Sequence, residues 1–275
     1  MPLVKNARRP GHDNQDMEAL GLRLSNRLAL VSGVLVALLA LAGCGRPAST
    51  TVVPRTPVTP MLQPMPQQPA NGQDGARMAA DVRERVGTAY QGATTIQASL
   101  KSYIHNVQTG KTARYVLDSW FQKPGRSAYK VREATEASTI GTKMIVDGTG
   151  QVQVRTKFAG FWVNTTLPET DERTRTARGD GMSDTALPRM MQVLLDSQAQ
   201  VQYLGQAQMA GRQVAMLELR SAMMLPRVTH ERYAIDMGTG MPYSRECYEA
   251  GRLTYQLTIE QVRLNQPDPA AFLLQ

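Results

Sequence analysis

The side chains best suited to catalysis in this 275-residue sequence are three histidines, two cysteines and one acidic cluster. His105 precedes Asn106 in a polar stretch, and His230 lies beside a threonine and a glutamate, so both patterns are typical of solvated turns and strand faces. The acidic residues alternate with arginines, and the members of this cluster are Glu169, Asp171, Glu172, Arg173 and Arg175. Paired carboxylates can perform acid–base chemistry, but flanking arginines favour mutual solvation of the charges.

Motifs of nucleophilic and metal-dependent enzymes are missing from the sequence. It contains no G-x-S-x-G, no H-E-x-x-H and no P-loop. Two cysteines are too few for a disulfide scaffold or a cysteine-rich zinc module, and three histidines leave little for a histidine-built metal centre. We therefore predict that the protein is not an enzyme, has no catalytic or metal-binding residues and needs no cofactor.

A different chemistry is indicated at Cys44, which follows Leu41-Ala42-Gly43. These four residues resemble the bacterial lipobox, in which small residues before the cysteine fit a narrow peptidase and the thiol receives a diacylglycerol. Each buried methylene of an acyl chain contributes about 0.8 kcal/mol, and more than one chain makes a stable anchor. We therefore predict that Cys44 is the lipidation site, carries acyl chains such as palmitate and becomes the mature N-terminus.

The residues before Cys44 have the pattern of a signal peptide. Arg23 and Arg27 flank the start of an apolar run over residues 28–41, which as a helix would measure about 21 Å at 1.5 Å per residue. This length is short of the roughly 30 Å hydrocarbon layer and fits the apolar region of a secretory leader. We predict a lipoprotein signal peptide over residues 1–43, starting at Met1 or Met17. The alternative is an ordinary secretory signal with a chance cysteine.

The charge balance favours a membrane surface over a nucleic acid. The chain has 31 Lys and Arg against 23 Asp and Glu, a net charge of +8. Removal of residues 1–43 takes away five basic and three acidic residues and leaves +6, with no block of like charge. We predict no nucleic-acid partner and a surface that suits anionic lipid headgroups. The remaining thiol, Cys247, is expected to be buried and inert.

Seven prolines between residues 45 and 75 predict an extended segment. Proline is excluded from helix interiors and central strands, and proline-rich segments are extended spacers. We therefore predict that residues 44–75 form a disordered tether. This tether would separate the lipid anchor from a folded domain of residues 76–275.

Residues 76–275 change from a helical period to a strand period. Apolar residues recur every three or four positions from Ala79 to Leu100, which predicts a long helix. A period of two follows, interrupted by one helical stripe between residues 187 and 195, and it is clearest over residues 253–260. We predict an α+β fold in which a strongly curved antiparallel sheet of about ten strands forms an unclosed β-barrel. Helices are expected to cover its concave side.

Several short phrases, taken in order, resemble the LolA/LolB superfamily of lipoprotein carriers and acceptors. The phrases are Phe121-Gln122-Lys123-Pro124-Gly125-Arg126, Ile145-Val146-Asp147-Gly148, Asp236-Met237-Gly238-Thr239-Gly240-Met241-Pro242, and Val262-Arg263-Leu264-Asn265 followed by Phe272. The resemblance covers residues 76–275 and implies an unclosed barrel with a helical lid, whose apolar hollow binds the acyl chains of lipids or lipoproteins. The sequence departs from the soluble carriers at Lys123, where they have arginine, and at Ser127, where they have an aromatic residue.

The hollow implied by this resemblance needs flexible apolar side chains, a role that suits methionine. The chain after residue 43 has 13 methionines but only four phenylalanines. Candidate residues lie on the predicted short helix, in an uncharged run before Pro226, and on the strand faces opposite the main apolar face. The predicted ligand-binding residues are Trp120, Trp162, Met190, Met191, Leu194, Leu195, Met223 and Met224. A Met and Leu stripe at helical spacing is also typical of an ordinary core, and that alternative stays open.

The sequence thus predicts a membrane-anchored lipoprotein of the bacterial envelope that binds the acyl chains of a lipid or an acylated lipoprotein, for transport or sorting. Its expected location is the extracytoplasmic side, on the periplasm-facing outer membrane or on the outer face of the cell membrane. The alternative is an RseB-like sensor or scaffold module that binds a protein partner.

The lipidation site generates the first testable prediction. In a bacterial host that processes lipoproteins, the full chain should incorporate an alkyne analogue of palmitate, because Cys44 is the acyl acceptor. The Cys44→Ser variant should incorporate none, since a hydroxyl does not replace the thiol. Cys247→Ser is the matched control and should label like the original chain. Equal labelling of the Cys44→Ser variant would contradict the prediction.

Overall fold

The computed structural model describes residues 72–275. The predicted signal peptide, Cys44 and the tether up to residue 71 lie outside the described residues. The described part contains three α-helices and one sheet of 11 strands. None of the helices within residues 72–275 is long and apolar enough to cross a membrane.

All 11 strands belong to one antiparallel sheet with two free edges. Its order is β6-β5-β4-β3-β2-β1-β11-β10-β9-β8-β7, so β6 and β7 do not pair with each other and the sheet is not closed. The strands are β1 Thr95–His105, β2 Thr112–Gln122, β3 Arg126–Ala134, β4 Lys143–Val146, β5 Gln151–Phe158, β6 Phe161–Pro168, β7 Gln200–Met209, β8 Arg212–Arg220, β9 His230–Asp236, β10 Pro242–Glu249 and β11 Arg252–Leu264. The helices are α1 Gly72–Gly92, α2 Met182–Thr185 and α3 Leu187–Leu195.

The period of two places one row of apolar side chains on the same face of neighbouring strands. In the β1–β2 pair, Leu100 lies opposite Leu117 and Ile104 lies opposite Ala113. In the β1–β11 pair, Leu100 lies opposite Ile259. Directly opposed residues point to the same side of a sheet, so this apolar row continues from one meander into the other. We call this side the inner face.

Helices α1 and α3 cover the inner face. The apolar stripe of α1 buries Ala79, Val82 and Val86. These residues join one core cluster with α3 and with inner-face residues of the sheet, including Leu217 and Tyr233. Fully burying an aliphatic side chain stabilises a fold by about 1.5–3 kcal/mol. The sheet therefore depends on these helices to remove its inner face from water.

Polar contacts fix both helices at their carboxyl ends. The last carbonyls of a helix lack partners within the helix and carry partial negative charge. Lys123, in the β2–β3 turn, donates from Nζ to the carbonyls of Tyr90 (2.7 Å) and Gln91 (2.9 Å) at the end of α1. Arg83 donates to the carbonyls of Leu194 (3.0 Å) and Asp196 (2.6 Å) at the end of α3.

The β9–β10 turn provides a third docking point for α1. Gly240 has φ +70°, and a Cβ there would lie 3.1 Å from Ala89 Cβ. The side chain of Asp236 accepts a hydrogen bond from the Gly238 amide at 2.8 Å, and Arg85 donates to the Met237 carbonyl at 3.0 Å. The phrases of the sequence that contain Lys123 and Gly240 thus hold α1 against the sheet.

The predicted fold class is confirmed: the protein is α+β, with an unclosed, curved antiparallel sheet. The sheet has 11 strands where about ten were predicted. Helix α1 begins at Gly72, four residues before the position that the apolar spacing indicates, and ends at Gly92. The predicted helical stripe was wrong beyond that point, because Ile96 and Leu100 lie on β1. Residues 169–184 have a polar sequence that predicts a loop, but they contain most of α2 and a 3-10 helix at Glu172–Thr174, because short helical turns need no apolar period.

The Lys123 contacts generate a stability prediction. Lys123→Met should lower the free energy of unfolding by about 1–3 kcal/mol, because two hydrogen bonds from a charged donor to helix-terminal carbonyls are lost. Lys101→Met is the matched control: its ammonium pairs with Glu260 at 3.0 Å on the surface and should contribute less than about 1 kcal/mol. Urea unfolding of both variants measures the difference, and equal losses would contradict the assignment.

Candidate functional site

An apolar pocket of about 160 Å³ lies between the inner face and the segment of residues 169–186. We call these residues the covering segment. The sheet contributes mostly apolar side chains to the pocket, together with Met182 from α2. The apolar lining residues are Ile104, Tyr115, Leu117, Val131, Met144, Met182 and Tyr255. Burial raises the pKa of the Tyr255 hydroxyl. Two charged side chains of the covering segment, Arg173 and Arg175, also line the pocket.

A larger polar groove of about 990 Å³ adjoins this pocket. The groove and the pocket share Tyr115, Arg175 and Thr176 as lining residues. The other walls of the groove include Lys111 and Glu136, so both signs of charge face it. An apolar space that continues into a polar groove suits a ligand with an apolar part and a polar end.

Buried Arg178 anchors the covering segment to the sheet. Its side chain is 0% exposed, and it donates to Asp180 Oδ2 at 2.8 Å and to the Pro226 carbonyl at 2.6 Å. Its Nη1 lies 3.3 Å from Glu249 Oε2 and donates to Thr254 Oγ1 at 3.2 Å. A buried charge needs partners, so Arg178 holds the covering segment over one end of β10 and β11.

A second set of contacts orders the covering segment from within. Glu169 accepts hydrogen bonds from the amide and the hydroxyl of Ser183, at the start of α2. Asp171 forms an ion pair of 2.6 Å with Arg173, and the hydrogen bonds from Arg173 lower the pKa of this carboxyl to about 2. Glu169 and Asp171 of the acidic cluster therefore have structural roles, while Glu172 lines the polar groove beside the pocket.

The inner face carries one fully buried ion pair beside the pocket. Arg245 on β10 donates to both carboxylate oxygens of Glu231 on β9, at 2.9 and 2.6 Å, and both side chains are 0% exposed. Tyr233 donates its hydroxyl to the same carboxylate, and the guanidinium lies 5.8 Å from the ring centre of Tyr255. The neighbouring Cys247 is buried, as predicted, and burial raises the pKa of its thiol.

The structure brings six of the eight predicted ligand-binding residues together, but it places them beside the pocket rather than around it. Met190, Met191 and Leu194 are 1%, 0% and 0% exposed and belong to the core cluster under α1. The other three pack half-buried against that cluster; they are Leu195, Met223 and Met224. None of the six is among the residues that line the pocket.

The two tryptophans lie on the opposite side of the sheet, which we call the outer face. Trp120 packs against a cluster that includes Ala128 and Phe272, where the C-terminal segment crosses the sheet. Trp162 is 47% exposed, and the guanidinium of Arg155 lies 5.1 Å from its ring centre. The structure therefore separates both tryptophans from the methionines and from the pocket.

None of the pocket-lining residues is among the eight ligand-binding residues that the sequence predicted. The alternation in β2 did place Tyr115 and Leu117 on one apolar face. It contained no signal that the covering segment lies over these residues, because a period of two identifies a face and not the segment packed on it. Met182 lay within a stretch predicted as a polar loop.

The two histidines within residues 72–275 lie at the ends of strands. The His230 ring stacks on Tyr248 with 4.6 Å between ring centres, and burial lowers its pKa. His105 is at the end of β1. Residues 72–275 contain no group of three or more His, Cys, Asp and Glu side chains that could hold a metal ion.

Comparisons with known proteins found likenesses in structure only. No family model matches the sequence, and no curated protein matches it. The chain is similar to the Mycobacterium tuberculosis lipoprotein LppX, with 14% identity, a TM-score of 0.43, and coverage of 70% of this chain and 97% of LppX. It is similar to a LolA superfamily protein from Nitrosomonas europaea, with 13% identity, a TM-score of 0.34, and coverage of 71% and 97%.

A chain from the complex of Pseudomonas aeruginosa MucA and MucB is similar at 14% identity and a TM-score of 0.37, with coverage of 72% of this chain and 61% of that one. One of these solved structures is named as a member of the superfamily that the sequence phrases resemble. All three TM-scores are below 0.5, so the description of the fold rests on the sheet and core of this chain.

The Arg178 contacts generate a prediction about the covering segment. Arg178→Met should accelerate amide hydrogen exchange in peptides from residues 169–186, because Asp180 is left buried without its partner, a change that costs about 3–5 kcal/mol. Arg175→Met is the matched control, since Arg175 donates only to the carbonyls of Thr170 and Gly179 at the surface. Unchanged exchange in the Arg178→Met variant would show that another contact holds the segment.

Proposed function

We propose that this protein is an envelope lipoprotein whose folded domain binds the acyl chain of a lipid or of an acylated lipoprotein on the inner face of its sheet. The observation that supports the proposal is the apolar pocket under the covering segment, continuous with a polar groove. An acyl chain would occupy the pocket, and its polar end would lie in the groove. Binding of this kind needs burial of apolar surface, at about 25 cal/mol per Å², and no covalent chemistry.

The pocket volume limits how much of an acyl chain enters without movement. A volume of about 160 Å³ is about five times the roughly 30 Å³ that one water occupies in the liquid. It is below the roughly 300–1,000 Å³ of pockets that enclose a whole ligand. A longer acyl chain therefore has to displace the covering segment, and Met182 is the flexible apolar side chain at that boundary.

The covering segment is suited to such a movement. It is attached by polar groups such as Glu169, Arg178 and Asn106, the last of which donates to the Ala177 carbonyl at 3.2 Å. The sheet has a second, smaller core cluster besides the one under α1. The covering segment contributes only the apolar side chains of Ala186 and Met182 to it. Segments with few buried apolar contacts open at a lower free energy than the core, so the pocket can enlarge while α1 and α3 stay in place.

The anchor belongs to the same proposal. An acylated Cys44 would hold the domain on the extracytoplasmic side of a bacterial membrane, from which its apolar ligand would come. The domain would then receive or hold lipids at that surface for transport or sorting.

Binding of a protein partner is the second candidate function, and the free edge strand β6 favours it. An exposed edge presents unpaired backbone groups to which an extended peptide can add as a further strand. Seven of the eight residues in Phe161–Pro168 are exposed or half-buried, and five of these seven are exposed. Recovery of a stable protein partner and no lipid would favour this function.

Filling the pocket tests acyl-chain binding. Leu117→Trp places a larger ring in the pocket and should weaken binding of a fluorescent fatty acid by more than about tenfold, because the space of the acyl chain is taken. Val116→Trp is the matched control, since Val116 is the neighbouring half-buried residue on the outer face, and it should bind like the original chain. Native mass spectrometry of the full chain measures retained lipid in parallel.

Two outcomes would contradict the proposal. Equal fatty-acid affinity in the Leu117→Trp and Val116→Trp variants would place any binding elsewhere. An original chain that carries no lipid and takes up none would remove acyl-chain binding altogether. Far-ultraviolet circular dichroism of both variants separates loss of the pocket from loss of the fold.

A further inference from the structure

The large hydrophobic side chains that are exposed within residues 72–275 lie in three segments. They are Ile140 at 45%, Phe161 at 75%, Trp162 at 47% and Leu273 at 47%. Ile140 belongs to the β3–β4 loop, the two aromatic residues begin β6, and Leu273 follows the last 3-10 helix. Exposed apolar side chains that cluster mark an interaction surface, whereas scattered ones do not.

Contacts show that the three segments are neighbours. A Cβ at Gly141 would lie 2.9 Å from Cη2 of Trp162, so the β3–β4 loop lies against the indole ring. Asn164, on the same face of β6 as Trp162, donates to the Leu274 carbonyl at 3.3 Å. The β3–β4 loop, the start of β6 and the C-terminal segment therefore meet at the β5–β6 hairpin, where Trp162 is on the outer face and Phe161 on the inner face of β6. We call this exposed hairpin end the aromatic tip.

The hairpin holds the aromatic residues at a projecting end of the sheet. Its two-residue turn consists of Ala159 with φ 47° and Gly160 with φ 91°, the positive angles of a tight type I′ turn. Phe161 follows this turn directly and pairs with Phe158. The tight turn thus leaves Phe161 75% exposed at the end of the hairpin.

Cationic side chains surround the aromatic tip. Lys157 lies opposite Trp162 in the β5–β6 pair, on the same face. Lys130, Lys143 and Arg155 are opposite one another across β3, β4 and β5. Within residues 72–275, none of these four cations forms a salt bridge with an acidic side chain. The charge of Asp268 acts on Lys143 without such a contact. Lys143 donates from Nζ to the carbonyls of Ala270 (3.0 Å) and Leu273 (2.6 Å), and the Arg155 guanidinium lies over the Trp162 ring. The tip therefore combines exposed aromatic rings with positive charge that no salt bridge within residues 72–275 neutralises.

We propose that the aromatic tip docks the domain on the surface of an anionic phospholipid bilayer. Phe161 and Trp162 would enter the interfacial layer, where aromatic rings are favoured. Lys157, Lys143 and Arg155 would lie at the level of the anionic headgroups. An exposed hairpin end with aromatic rings and cationic side chains matches the interface of an anionic bilayer, which favours both. This inference is independent of the pocket and of acyl-chain binding.

Tryptophan fluorescence tests the proposal on the full chain, which has only Trp120 and Trp162. In the Trp120→Phe variant, mixed with vesicles that contain phosphatidylglycerol and a brominated phospholipid, Trp162 should be quenched by bromine and protected from aqueous iodide. Neutral phosphatidylcholine vesicles, or high salt, should reduce both effects. The reciprocal Trp162→Phe variant is the control, because Trp120 is packed under the C-terminal segment and should report no docking.

Charge variants separate docking from simple attachment to the vesicle. Each cationic side chain near an anionic surface changes a binding constant about fivefold, so Lys157→Gln should lower the ratio of docked to undocked domain by about that factor. Arg77→Gln is the matched control, since Arg77 is exposed on α1, away from the β5–β6 hairpin, and should have no effect. Phe161→Ser should reduce the bromine quenching without changing the fatty-acid affinity.

Other results would overturn the proposal. Trp162 that stays accessible to iodide and unquenched in every vesicle shows that the tip does not enter a bilayer. Protection of Trp162 that requires no vesicles and grows with protein concentration shows that the tip is an interface between two copies of the chain. An equal effect of Lys157→Gln and Arg77→Gln shows that attachment is general electrostatic adsorption.

Discussion

The antiparallel pairing of β1 with β11 is the contact on which the rest of the structure depends. It joins the first strand of the described chain to the last, with Ile104 opposite Tyr255 and Ile96 opposite Leu264. Without this pairing the chain would form two separate meanders, β1–β6 and β7–β11. With it, the inner face is continuous from β6 to β7, and α1, which immediately precedes β1, is held where it can pack on the distant β7 side.

The inner face then divides into two regions with different roles. On the β8–β11 side, α1 and α3 pack directly on the sheet, and the core there is filled by side chains such as Met190 and Leu217. On the β1–β5 side, a short segment fixed mainly by polar contacts covers the sheet, and an apolar pocket remains beneath it. Close packing leaves no room for a ligand, so the region with the weaker cover is the one that can take an acyl chain.

Buried charges mark the boundary between these regions. The Arg245–Glu231 pair and the Arg178 cluster both lie where β10 and β11 meet the covering segment or the pocket wall. Such pairs contribute little net stability, but each partner depends on the other and on its hydrogen-bond geometry. They specify where the strands and the covering segment lie, while the neighbouring core provides the free energy. The aromatic tip, by contrast, is set by a local turn and lies at the opposite end of the sheet order from β7.

Local patterns in the sequence were sufficient for the fold class. The alternation in β2 and β11 and the stripe of α1 predicted an antiparallel sheet with helices on one side, since these periods follow from backbone geometry alone. The phrases around Lys123 and Gly240 were recognisable because their turn conformations and helix contacts require particular residues. By itself, the sequence also provided the acceptor thiol at Cys44 and the tether, predictions that do not depend on residues 72–275.

Only the tertiary structure decided which apolar residues fill the core and which line a pocket. Met190 and Met191 have the flexibility expected of a lipid site, yet α1 packs over them and leaves no space. Trp120 and Trp162 have the alternation expected for a face of the sheet, but a period does not tell the inner face from the outer one. These distinctions depend on which distant segment lies on each face, and that choice results from long-range packing that no local period contains.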